Sequence, residues 1–135
     1  MHSNNSFQAE STRSGNDFED LVLQDLKNRG FTIISRNVYF EEIGCEFDFV
    51  SQNNYIEAKG GFEGKGKRPG AKRTDNVKKA IANCALLSTL DINPYTVIYF
   101  SSKPKSGSSS ELMIQAAIKA GFVSEVRYLE QETND

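Results

Sequence analysis

Gly44-Cys45-Glu46-Phe47-Asp48-Phe49-Val50, then Ser51-Gln52-Asn53-Asn54, then Tyr55-Ile56-Glu57-Ala58-Lys59-Gly60-Gly61: the reading of this stretch decides the fold. It predicts two neighbouring strands joined by a short polar turn. Cys45, Phe47 and Phe49 alternate with Glu46, Asp48 and Val50, the period of a strand with one apolar face and one carrying carboxylates. On the second strand Ile56 and Ala58 alternate with Tyr55, Glu57 and Lys59.

Side by side, the two strands have a small choice of registers. A two-residue turn at Gln52-Asn53 sets Asp48 opposite Glu57, and one at Asn53-Asn54 sets it opposite Lys59. Both gather Asp48, Glu57 and Lys59 on one face, because directly paired residues share a face. A three-residue turn without a bulge would set Asp48 beside Ile56 or Ala58 and disperse the cluster. In the favourable registers opposed Cβ atoms stand roughly 5 Å apart. Crowded carboxylates gain little unless a cation joins them.

These residues resemble the PD-(D/E)xK signature of the restriction-endonuclease-like nuclease superfamily. Asp48 is followed, after Phe49 to Ile56, by Glu57-Ala58-Lys59, and Phe47 stands where the signature is named for proline. As a pattern of elements the resemblance spans roughly residues 15 to 128. It implies an α/β fold with a mixed-sheet, restriction-endonuclease-like core. It also implies a metal-dependent endodeoxyribonuclease leaving 5′-phosphate and 3′-hydroxyl ends. Asp48, Glu57 and the Ala58 carbonyl would bind Mg²⁺, with Mn²⁺ as a substitute. Lys59 would hold or help deprotonate the attacking water, or stabilise charge on the phosphorane-like transition state. A glutamate on the first helix, here Glu19, would point at the metal and hold a second ion through water. The bland alternative for Glu19 is an ordinary solvated helix acid.

Composition narrows the chemistry independently. The chain has 135 residues, 38% of them hydrophobic and 10% aromatic, which suits one domain with one core. There is no long apolar run and no secretory signal pattern, so the expectation is a cytoplasmic protein, in a bacterial host cell or an equivalent compartment, with no membrane partner. Cys45 and Cys84 lack a Cys-x-x-Cys spacing and read as buried thiols. His2 is the only histidine and lies in a polar tail. A metal must therefore be held by oxygens, which favours magnesium or manganese.

In chain order, residues 1–13 read as a disordered tail and 14–135 as a single nuclease domain. Ser14-Gly15-Asn16-Asp17 offers caps to a helix whose apolar face is Phe18, Leu21, Val22 and Leu26, with Gly30 as the stop. Phe31 to Phe40 predicts a long strand, or a strand with a bulge. Thr74-Asp75-Asn76 would cap the next helix, with Val77, Ala80, Ile81, Cys84 and Leu87 inward and Lys78, Lys79 and Asn83 outward. Tyr95 to Phe100 reads as a buried strand. Ser108 to Glu111 fits a capping box ahead of Leu112, Ile114, Ala117 and Ile118, with Gly121 as the stop. Phe122 to Leu129 reads as a last strand. The order is α-β-β-β-α-β-α-β.

Charge is concentrated. The chain carries 16 lysines and arginines and a net charge of −2. Half of those cations, Lys59, Lys65, Lys67, Arg68, Lys72, Arg73, Lys78 and Lys79, fall between positions 59 and 79, against Glu63 and Asp75 alone. A basic, glycine-rich loop directly after the carboxylate strand suits a DNA backbone, with Lys65, Lys67, Arg68, Lys72, Arg73, Lys78 and Lys79 as the gripping residues. One site cuts one strand, so a double-strand break calls for a homodimer or higher homo-oligomer. The small size suggests a phage or mobile-element enzyme of site-specific, homing or restriction type. The runner-up is a Holliday junction resolvase or another structure-specific nuclease. The rival of another class is a DNA-binding domain without catalysis.

Overall fold

A computed structural model describes residues 17–60 and 70–129. Helix α1 covers 17–28. Strands β1 (Ser35–Phe40), β2 (Cys45–Ser51) and β3 (Asn54–Lys59) follow as a meander. Helix α2 (Thr74–Leu87), β4 (Tyr95–Phe100), α3 (Ser109–Ala120) and β5 (Glu125–Tyr128) complete the chain. The five strands lie in one sheet in the order β1-β2-β3-β4-β5. The β1–β2 and β2–β3 pairs are antiparallel, and the β3–β4 and β4–β5 pairs parallel. The mixed α/β class and the element order agree with the reading from sequence.

Helices cover both faces of the sheet. Phe18, Val22 and Leu26 of α1 pack with Phe49, Ile56, Val97 and Tyr99. Val77, Ala80, Cys84 and Leu87 of α2, with Ile114 and Ala117 of α3, pack with Phe47, Tyr55, Ile98 and Phe100 on the other face. The apolar run of β4 is explained by this double burial: alternate residues serve opposite cores. Gly60, next to the end of β3, lets α1 approach. A Cβ there would collide with the Phe18 ring.

Several expectations shift. Phe47 and Phe49 do not share a face: Phe47 joins the α2–α3 core and Phe49 the α1 core. Residues two apart on a regular strand point the same way, so the alternation slips at Asp48. On β1 the recorded pairing runs Arg36↔Phe49 and Val38↔Phe47, omitting Asn37 opposite Asp48. Asn37 holds a left-handed φ of 53°. Strand β1 begins at Ser35 rather than Phe31, because Phe31 and Ile34 pack on the α1 core as part of the connection. Strand β5 is likewise shorter, Glu125–Tyr128.

The helices show similar adjustments. Arg73, not the Thr74-Asp75-Asn76 group, occupies the N-cap of α2 and makes no side-chain capping bond. At α3 the Ser108 hydroxyl does accept the Glu111 amide, but the Glu111 carboxylate reaches the Gly107 amide instead of closing the reciprocal bond. Leu21, Leu112 and Ile118, assigned to buried stripes, are exposed. On α3 the inward residues are Ser110, Ile114 and Ala117. Residues 1–13 lie outside the described residues.

Candidate active site

The hairpin turn sets the site. Strands β2 and β3 pair as Ser51↔Asn54, Val50↔Tyr55 and Phe49↔Ile56, so the turn is Gln52-Asn53. Gln52 takes a left-handed φ of 58°, and the Asn53 amide side chain anchors the turn to the Asn93 carbonyl at 2.8 Å. Continued by one step, this register sets Asp48 beside Glu57, the first of the two favourable alternatives.

Beyond Phe49↔Ile56 the recorded ladder stops, and a side chain takes over from the backbone. The Ala58 amide donates to Asp48 Oδ2 at 2.7 Å. In an extended strand the N–H and C=O of one residue point to the same side. The Ala58 carbonyl therefore also faces β2 and the Asp48 carboxylate. Two carboxylates and one carbonyl thus converge where the strands part.

Glu57 lies on the face covered by α2 and is only 2% exposed. Asn83, from α2, donates to Glu57 Oε2 at 2.8 Å. Lys59 Nζ stands 3.9 Å from the same oxygen. Helical periodicity puts Asn83 on the outer side of α2. It instead flanks the buried stripe and serves a carboxylate that needs a donor. No signal in helical spacing alone marks it.

The electrostatics are unfavourable for two full charges. Burial, then the neighbouring Asp48 charge, pushes Glu57 up to about 7 against the pull of Lys59 and Asn83. Asp48 is also raised, chiefly by burial, although the Ala58 amide, Lys59 and a hydrogen bond shared with Glu57 oppose this. The single ammonium is outweighed by desolvation. Cys45 and Cys84 are both free, and each thiol is raised by burial and then by Glu57, Cys84 to about 12. Neither is a thiolate at neutral pH.

Glu19, on α1, is raised first by burial and next by the Asp48 charge, which places the two in electrostatic reach. Its carboxylate is ion-paired with Arg36 of β1 at 3.6 Å, a partner that sequence reasoning did not single out. Among the described residues, no three histidine, cysteine, aspartate or glutamate side chains converge closely enough to hold a metal ion. The donor set at the strand junction is Asp48, Glu57 and the Ala58 carbonyl. All are oxygens, and a set this small fits a hard cation that keeps several waters, as Mg²⁺ does.

Of the basic residues, Lys72, Arg73, Lys78 and Lys79 are exposed at the entry to α2. The turn carrying Lys72 is fixed to the Lys59 end of the sheet. The Ser101 amide donates to the Lys59 carbonyl and the Ala71 amide to the Ser102 carbonyl, each at 3.3 Å. Lys65, Lys67 and Arg68 lie outside the described residues. Among the described residues no helix is long and apolar enough to cross a membrane. Comparisons with protein-family models, curated proteins and solved structures gave no match.

Proposed function

We propose that the chain is a metal-dependent endodeoxyribonuclease, built on a restriction-endonuclease-like core, that hydrolyses DNA to 5′-phosphate and 3′-hydroxyl ends. One observation carries the reading. Asp48 takes the amide of Ala58, beside a buried Glu57 whose ion-pair partner is Lys59. Glu57 so held keeps its proton up to about pH 7, and a divalent cation would displace that proton and balance both carboxylates.

Asp48, Glu57 and the Ala58 carbonyl would hold Mg²⁺, with Mn²⁺ as a substitute. Bound there, the ion supplies charge neutralisation at the phosphate and acidifies a water. Water oxygen bonds to phosphorus, the bond to the 3′-oxygen breaks, and that oxygen leaves with a proton. Lys59 orients the water or balances charge building on the phosphate oxygens. Asn83 fixes the Glu57 carboxylate and favours its ionised form. Glu19, paired with Arg36 and in electrostatic reach of Asp48, would hold a second ion through water. Lys72, Arg73, Lys78 and Lys79 attract flanking phosphates, which gives affinity with little sequence information.

The test is incubation of supercoiled plasmid with and without Mg²⁺, followed by mapping of the ends. Nicking that requires the metal and leaves 5′-phosphates is the expected result. No cleavage across a range of sequences and four-way junctions, with DNA binding intact, would favour a non-catalytic binder instead. Preference for a junction over a long duplex would reassign the enzyme from a site-specific to a structure-specific nuclease. Sedimentation on DNA tests the homodimer that paired-strand cutting requires.

A further inference from the structure

A second candidate site lies outside the carboxylate corner. A cleft of about 310 Å³ is lined by Lys72, Thr74, Lys105 and Ser108 to Ser110. Two helices begin there, α2 at Thr74 and α3 at Ser109. Helix N-termini present amide hydrogens and partial positive charge, and they attract anions. At α2 the N-cap residue is Arg73, which gives the first turn no side-chain acceptor. The flanking side chains add two ammonium groups, and no described lining residue is acidic. Glu111, in the first turn of α3, is engaged by the Gly107 amide, and Asp75, in the first turn of α2, is exposed.

Ser110 provides an independent observation. It is only 3% exposed, yet it lines the cleft, and its hydroxyl makes no hydrogen bond to the described residues. On the same helix Leu112 stands 58% exposed. That hydroxyl is not closed off from solvent, since among the described residues Ser101 Oγ alone is both buried and without a partner, so it is open to an anion entering the cleft.

We propose that this cleft is a phosphate-binding site. It would be formed by the two helix N-termini with Lys72, Lys105 and Ser110, and would take a phosphate of the DNA strand beside the one being cut. The anion site stands on the geometry above. The identification of its ligand as a strand phosphate rests on the nuclease reading. The cleft shares the Gly70–Lys72 turn with the segment tied to the end of β3, which sets it beside the strand that carries Lys59.

The experiment is an amide-resolved NMR titration of the metal-free full chain at constant ionic strength. The probes are inorganic phosphate and two dinucleotides, one with a 5′-phosphate and one with only the internal phosphodiester. Saturable shifts at Thr74, Ser109 and Ser110 are expected. Lys72→Ala combined with Lys105→Ala should weaken binding about tenfold or more, the scale of one charge-assisted hydrogen bond. Ser110→Ala should weaken it measurably while leaving the unperturbed spectrum folded. Shifts from both dinucleotides support a backbone phosphate, and shifts from the 5′-phosphate alone support a strand end. Shifts absent from these amides, or unchanged in both variants, would overturn the site. Since no cleavage is read, failure of the nuclease reading would leave this result standing, and the reverse also holds.

Discussion

The two faces of the sheet carry opposite kinds of polar cluster. On the α1 side Tyr99 donates to Asp25 at 2.6 Å and receives Arg127 at 2.6 Å, and Arg127 also donates to Glu125. Asp25 is lowered by its bonds to Tyr99 and Arg29 in spite of burial, and Glu125 is lowered chiefly by Arg127. On the α2 side Asp48 and Glu57 are raised, with one ammonium between them. The first cluster is satisfied as it stands. The second holds its carboxylates above their ordinary range, the state that the cation of the proposed function would reverse.

Breaking the carboxylate cluster should produce the largest effect. Asp48→Asn or Lys59→Met is expected to reduce plasmid cleavage by roughly 10²–10⁴-fold, the usual scale for a lost acid–base or charge-stabilising group. Folding and DNA retention should persist, as read by circular dichroism and a gel-shift assay. Full cleavage by either variant would end the catalytic account.

Stability should then separate the faces by pH. Glu57 rises from an ordinary 4.5 to about 7 in the folded chain, so the folded state holds this proton more tightly than the unfolded one. The stability so gained is complete below about pH 4.5 and is lost as pH rises through about 7. At pH 8 the metal-free Glu57→Gln variant should exceed wild type by about 3 kcal/mol in urea unfolding. Asp25 behaves in the opposite sense: its contribution is present above its ordinary 3.8 and fades as pH falls.

Two smaller changes sharpen the contrast. Asn83→Ala removes a donor that lowers Glu57, so the acid limb of the pH–rate profile should move upward, with about a tenfold loss near neutral pH. Tyr99→Phe should cost about 1 kcal/mol, because Asp25 and Arg127 retain Arg29 and Glu125 as partners. Cleavage per folded molecule should stay unchanged. Loss of cleavage in Tyr99→Phe would mean that the two faces are coupled.

The element order was legible, and so was the gathering of Asp48, Glu57 and Lys59 by a two-residue turn, because strand alternation is a local property; the choice between Glu57 and Lys59 opposite Asp48 came from the turn at Gln52-Asn53. What failed was what depends on the third dimension. The opposed positions of Phe47 and Phe49 arise from the slip at Asp48, opposite the left-handed Asn37, and no period-two pattern announces such a slip. Asn83 reads as a surface residue until α2 is laid over β3. Ser110 buried beside an exposed Leu112 reverses the expected stripe of α3, since hydrophobic periodicity cannot see a cleft at the helix start.

The most direct measurement is calorimetric titration of Mn²⁺ into the metal-free chain at pH 8. The account predicts saturable binding that disappears in Asp48→Asn and in Glu57→Gln. Absence of binding to the wild-type chain, or equal binding to all three proteins, would contradict it.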